Sequence, residues 1–203
     1  MPATKTLLRE QNQANVRAAI LDAARTLFAK DGVTGLSMRR LAAQIGYTPR
    51  TVYLYFADKD DLLSELIEEE VGHLADRLES VAAEKRDPGP RLEAVALAYV
   101  AFGLEHPQAY EAIFMLRSHP MTRRSAALKH HVHGQRMLDV LARVVHESGR
   151  VAAARDPYVV VQALRCALHG VTSLLVLGRR LPDVKWEAVV KHLVATVVGK
   201  EQA

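Results

Sequence analysis

Apolar residues recur every three or four positions along nearly the whole chain, and no stretch alternates apolar with polar between turn signals, so the sequence predicts an all-α protein of about nine helices. Val16, Ile20, Ala23, Ala24, Leu27 and Phe28 mark one face of a first helix, which Gly32 is placed to close. Leu41, Ala42 and Ile45 define a short second helix. Ser37 is its N-cap and Gly46 its stop, because glycine takes the left-handed conformation at least cost. Thr48 then caps a third short helix with Pro49 at the first position, where the missing amide has no bond to lose, and Val52 and Phe56 supply its buried side. A fourth helix begins near Asp58, and Leu62, Leu63, Leu66, Ile67, Leu74 and Leu78 carry it a long way.

Two prolines and a glycine in Lys85-Arg86-Asp87-Pro88-Gly89-Pro90 predict a break, with a second unit starting at Arg91. Leu92, Val95, Ala96, Tyr99, Val100 and Gly103 line a helix that stops at His106-Pro107, and a short helix runs from Gln108 to about Arg117. A long segment from about Thr122 to Glu147 ends at Gly149. Asp156-Pro157 opens an apolar helix to about Leu177, read as buried, and Trp186, Val189, Val190, Leu193, Val194 and Val197 mark the last one. These final two helices are apolar over more of their girth than one chain needs, which predicts a homodimer joined through them. The expected domains are 1–60 and 61–203, with the fourth helix connecting them.

Composition adds a location for the charge. Nine of the 27 Lys and Arg and five of the 23 Asp and Glu lie in residues 1–60, which leaves 18 of each beyond. All the net charge of +4 therefore sits with the two short helices, the asymmetry of a molecule whose one end faces a polyanion. The single cysteine, Cys166, excludes an internal disulfide and fits a reducing cytoplasm, and no secretory signal is visible. The stretch Val159 to Leu177 carries Gln162, Arg165 and His169. An arginine at a helix centre costs about 2.5–3.5 kcal/mol on insertion, so no membrane partner is expected.

The two short helices joined by one tight turn have the form of a DNA-reading module. Arg50, Thr51, Tyr53 and Tyr55 stand opposite the buried side of the third helix, as donors and aromatics suited to phosphates and base edges. The run Ile20 to Leu63, above all Thr51-Val52-Tyr53-Leu54-Tyr55-Phe56-Ala57-Asp58-Lys59-Asp60-Asp61-Leu62-Leu63, resembles the N-terminal domain of the TetR/AcrR family of bacterial transcriptional regulators. Phe102-Gly103-Leu104-Glu105-His106-Pro107-Gln108-Ala109-Tyr110 and Leu168-His169-Gly170 are similar to the branch with a WHG-type C-terminal domain, with Leu168 standing in place of tryptophan. The resemblance implies a homodimeric repressor, or less often an activator, that binds a near-palindromic double-stranded operator and is released by a small-molecule effector. It implies no enzyme activity and no cofactor. Residue by residue, it implies that Ser37, Met38 and Arg39 open the helix crossing the DNA backbone and that Thr48, Pro49, Arg50 and Thr51 lead the recognition helix. It implies phosphate contacts from Tyr53, Tyr55 and Lys59, with Tyr55 where the family often has histidine.

Beyond that module, Tyr99, Phe102, Tyr110, Phe114, Met115 and Met137, with Arg165 and His169, are expected to line an effector cavity of adaptable apolar walls and few polar anchors. Arg165 needs either an internal acid such as Glu105 or Glu111 or an anionic ligand, and the sequence leaves both open. His119, His130, His131 and His133 invite a metal reading, but their neighbours Arg123, Arg124, Lys129 and Arg136 are cationic, and a solvated helix is preferred. Cys166 and His169 lie one turn apart, a spacing open to a nucleophile pair, a soft-metal pair or a redox sensor, but the single cysteine is read as a buried packing residue. The rival reading, a small helical enzyme or metal-binding protein using these histidines, has no nucleophile-base-acid set or phosphate loop to support it.

Overall fold

The structure is a computed structural model that describes residues 2–84, 87–115, 132–149, 151, 156–179 and 183–199, with side chains from residue 11 onward. Among the described residues there are nine helices and no strand: α1 (Pro2–Gly35), α2 (Met38–Gln44), α3 (Pro49–Tyr53), α4 (Lys59–Ala83), α5 (Pro88–Glu105), α6 (Pro107–Phe114), α7 (Val132–Glu147), α8 (Pro157–Val176) and α9 (Trp186–Val198). They fall into two compact units. One holds the residues up to Glu69 with 111–115, and the other holds Glu70–Tyr110 with the described residues from Val132 onward.

In the first unit, Ile20, Ala24 and Phe28 of α1 are buried with Leu41 and Ala42 of α2, Val52 of α3, Phe56, and Leu62, Leu63 and Leu66 of α4. Each helix supplies one apolar stripe, and the two short helices enclose a common core with parts of two long ones. The local signals operate as the sequence predicts. The Ser37 hydroxyl accepts from the Arg40 amide at 3.1 Å, Thr48 Oγ1 from the Thr51 amide at 3.3 Å, and Asp58 Oδ1 from the Asp61 amide at 2.7 Å. Asp61 answers by accepting from the Ala57 amide at 2.9 Å, which fixes the entry to α4 from both sides. Gly46 sits at φ +72° in the turn between α2 and α3. Gly32, at φ +62°, breaks α1, and one more helical turn follows before the end at Gly35.

In the second unit α5 is the central helix and packs against α7, α8 and α9. Leu92, Val95, Ala96, Tyr99, Val100 and Phe102 are all buried. Val160, Leu164, Leu168 and Thr172 face inward from α8, and Val190, Val194 and Val198 from α9, both at four-residue spacing. Ion pairs lace the outside of this unit: Arg77 with Glu105, Arg91 with Glu147, and Arg136 with both Asp76 and Glu79.

Several boundaries differ from the sequence reading. Helix α1 begins at Pro2, well ahead of the apolar face that starts at Val16, and residues 11–15 are exposed. Helix α5 begins at Pro88, three residues before the predicted Arg91, since Pro88 and Pro90 occupy a first turn whose amides need no partner. Helix α6 ends at Phe114. The segment expected from Thr122 enters the described residues only at Val132, and its earlier part lies outside them.

Candidate functional site

The turn between α2 and α3 presents the residues singled out from the sequence. Arg39, Thr48, Pro49 and Arg50 are exposed, and Thr51 and Tyr55 are half-buried. Tyr53 is 53% exposed, so it is a surface group and not a packing residue of the small core. Ser37 is used as the cap of α2 and Thr48 as the cap of α3, with Thr51 Oγ1 also 3.1 Å from Thr48 Oγ1. Met38 differs from the rest: it is 7% exposed and belongs to the core. Lys59 Nζ donates to the Val33 carbonyl at 2.7 Å, tying the start of α4 to the chain just past the Gly32 break. Tyr47 and Leu54, which sequence reasoning passed over, are exposed beside this set. The available signal was two large hydrophobic side chains at positions flanking a five-residue helix, where no buried face can use them.

The arginines with described side chains in this unit divide into two groups. Arg17 bonds Glu65 and lies over the Phe56 ring at 5.1 Å, Arg25 bonds Glu69 at 2.9 Å, and Arg40 bonds Asp31 at 2.8 Å and the Gly35 carbonyl at 2.8 Å. The Glu69 hydrogen bond holds Arg25 above the usual guanidinium range. These three serve the fold. Arg39 and Arg50 are exposed with no ion pair among the described residues, and α3 carries one of them at its N-terminal turn. A five-residue helix, capped at its start and exposed along one side, offers donors where a duplex groove accepts them.

The residues expected to form an effector cavity are brought together only in part. Tyr99, Phe102, Tyr110 and Met137 are buried in the second unit, and Arg165 and His169 are half-buried on α8. Phe114 and Met115 group with the first unit. The Tyr110 hydroxyl stands 2.6 Å from His169 Nδ1, and the two rings stack at 5.7 Å. Tyr99 meets Tyr110 edge-on at 6.4 Å. Burial pushes the Tyr110 hydroxyl up to about 12 and Tyr99 well above its ordinary value. Burial, then the Arg165 charge, lowers His169, so its imidazole is held neutral. Of the acids the sequence offered to Arg165, Glu105 is bonded through both oxygens to Arg77, which holds its carboxyl below the usual range.

The outer faces of the last two helices correct one expectation and sharpen another. Helix α8 is buried on one side only: Tyr158 is 82% and Val159 63% exposed, and Leu174 and Leu177 are exposed further along. Cys166 is also exposed, on the outer side of the helix, with Gln162 Nε2 at 3.8 Å from its sulfur. An open cleft of about 430 Å³ lies between α8 and α9, lined by Asp156, Val159, Val160, Ala163 and Val197. Of the histidines, His119, His130 and His131 lie outside the described residues. His133 lies 3.0 Å from an Arg136 nitrogen. Among the described residues no three histidine, cysteine or carboxylate side chains converge at metal-binding distance.

A capped helix-turn-helix of this geometry on an all-helical chain defines the class, a helix-turn-helix DNA-binding regulator. Residues 20–66 match bacterial regulatory proteins of the tetR family, and residues 92–197 match the tetracyclin repressor-like C-terminal domain. The chain belongs to the TetR family of transcriptional regulators. Among its relatives, the HTH-type transcriptional regulator YobS of Bacillus subtilis is 25% identical over 156 residues, 77% of this chain and 76% of that one. A fatty acid metabolism regulator protein of the same organism is 34% identical over 76 residues, a match that spans 37% of this chain and only 39% of the relative. A protein of unknown function from Rhodococcus sp. RHA1 has the same fold, with TM-score 0.70 at 26% identity over 90% of this chain and 93% of its own. The regulator FadR of Bacillus subtilis, solved in complex with stearoyl-CoA, superposes with TM-score 0.68 at 22% identity over 89% of this chain and 97% of its own.

Proposed function

We propose that the chain is a homodimeric repressor that binds a near-palindromic operator through α3 and leaves it when a small molecule enters the second unit. Residues 1–60 serve as the DNA-binding domain and 61–203 as the effector-binding and dimerisation domain, in a cytoplasmic protein without cofactor, catalytic activity or membrane partner. The observation that carries the reading is the Thr48-capped α3, whose outward side holds Arg50 and Tyr53 with Arg39 exposed on the preceding helix. Arg50 and Thr51 meet base edges. Ser37, Arg39, Thr48, Pro49, Tyr53, Tyr55 and Lys59 meet the sugar-phosphate backbone, and Met38 contributes through its amide. Phosphate contacts fix register and base contacts specify sequence.

The exposed Tyr158, Val159 and Leu174 of α8 and the cleft between α8 and α9, lined by Val159, Val160, Ala163 and Val197, support dimerisation through these two helices, because exposed apolar surface is ordinarily covered by a partner. The polar cluster of Tyr99, Tyr110, Arg165 and His169 among buried apolar residues supports an effector site in the second unit. A neighbour of this fold forms a complex with stearoyl-CoA, a precedent for a small molecule as the signal. Helix α4 supplies residues to both units, so an effector that prefers one setting of its C-terminal half alters the spacing of the two recognition helices.

Selection of bound duplexes from a random-sequence pool tests the reading. The expected consensus is near-palindromic, with half-site centres about 10 base pairs or a multiple of that apart. Failure to enrich any sequence refutes operator recognition.

A further inference from the structure

Arg165 is a half-buried cation that has no ion pair among the described residues. The sequence holds 23 acids, of which 21 have described side chains, and none of these pairs with Arg165. The other two are Glu10 and Glu201. Glu105, the acid on the facing helix α5, is committed to Arg77. A guanidinium withdrawn from water gains stability only from a compensating charge or acceptor. Arg165 and His169 are four residues apart and share one side of α8, next to the fully inward stripe of Leu164, Leu168 and Thr172. Tyr99, on α5, meets the Tyr110 ring edge-on at 6.4 Å. Tyr110, on α6, closes the group through its contact with His169 at 2.6 Å. Two tyrosines and an imidazole therefore meet, with a cation one helical turn from the imidazole, where Phe102, Leu164 and Leu168 are apolar and buried.

We propose that Arg165, with Tyr99, Tyr110 and His169, is the anion-binding end of the effector site, and that the effector is an apolar molecule ending in a carboxylate. The inference rests on the ligand-responsive reading above and names the chemical class of its ligand. A carboxylate fits better than a phosphate because one guanidinium balances one negative charge, its fork matches two carboxylate oxygens, and the neutral neighbours can donate to an anion without adding charge. A doubly charged phosphate would be left half uncompensated in a partly dry site. The ligand takes its place by parting His169 from Tyr110, so binding reorganises the contact between α6 and α8.

Decanoate and decan-1-ol, matched in chain and different in charge, test this on the full-length protein by calorimetric titration below micelle-forming concentrations, with release of operator DNA followed in parallel. The expected result is binding of decanoate at least about tenfold tighter than decan-1-ol, since hydrogen bonds to a charged group are stronger than those to a neutral one. Arg165→Gln should abolish that preference by weakening decanoate alone, and Arg165→Lys should keep most of it. Circular dichroism confirms that each variant is folded. Equal binding of the two probes, or a preference unchanged in Arg165→Gln, overturns the anion site. If decan-1-ol then still releases the operator, ligand responsiveness stands without it. Binding of neither probe also overturns the proposal, and a thermal-shift panel of uncharged compounds then decides the ligand-responsive reading separately.

Discussion

The Tyr110 hydroxyl lies 2.6 Å from His169 Nδ1 and 3.3 Å from the His169 carbonyl, so one side chain of α6 is bonded to both the ring and the backbone of one residue of α8. The same tyrosine ring crowds Gly103 of α5, where an added Cβ would stand 2.9 Å from Tyr110 Cδ2 and 2.3 Å from Thr172 Cγ2. Three helices meet at this point because glycine lets α5 and α8 approach and a tyrosine fills the angle between them.

Gly103→Ala should therefore destabilise the protein by about 1–3 kcal/mol, the usual cost of forcing a methyl into a packed core. Gly134→Ala, in α7 with nothing within 4 Å of the new Cβ, should be neutral or stabilising by about 0.4–1 kcal/mol. Urea unfolding of the two variants side by side checks the contrast.

Tyr110→Phe removes the hydroxyl and leaves a half-buried imidazole nitrogen without its acceptor or donor. A loss of about 1–3 kcal/mol is expected from the same unfolding measurement. A variant as stable as the wild type would show that water replaces the hydroxyl at no cost.

The neutral state of His169 carries a pH dependence. Its folded value is lowered by burial and by Arg165, below the 6.5 expected for the unfolded chain. The unfolded state therefore takes up this proton first as pH falls, so the contribution to stability is complete above about 6.5 and is lost as pH descends through the folded value. Tyr99 and Tyr110, beside the ring, both have raised values and do not change charge in that window. The drop in urea midpoint between pH 7.5 and pH 5.5 should be smaller in His169→Gln than in the wild type. An identical drop would place the titration elsewhere.

Val159 lines the cleft between α8 and α9 and is 63% exposed, so Val159→Glu should leave the chain folded while placing a charge in the proposed interface. Light scattering after gel filtration should give twice the 22.4 kDa chain mass for the wild type and the single mass for the variant. Equal masses for the two would remove α8 from the interface.

The features written into a few consecutive residues were legible in the sequence. Ser37, Thr48, Asp58 and Asp156 all cap helices, and Gly46 takes its left-handed turn, because a cap or a turn is decided within three or four residues. Features set by what lies across the fold were not. Arg39 and Arg40 are indistinguishable in the sequence, yet Arg40 is drawn to Asp31 and the Gly35 carbonyl while Arg39 faces outward. Helix α8 reads as buried from its composition, but a helix flanked on one side keeps half its apolar surface exposed, and Cys166 falls on that half. The expected effector residues were chosen by type, and helix crossings sent Phe114 and Met115 to one unit and placed the Tyr110–His169 contact in the other.

Fluorescence anisotropy of the protein on its selected duplex and on a scrambled one, across a salt series, tests the central claim most directly when run alongside Arg50→Ala. The wild type should prefer the selected duplex by roughly 10³-fold or more, with affinity falling steeply as salt rises. Arg50→Ala should lose about 1–3 kcal/mol on the selected duplex and much less on the scrambled one. Equal binding of the wild type to both duplexes, or an equal loss on both for Arg50→Ala, would contradict the assignment of α3 as the element that reads sequence.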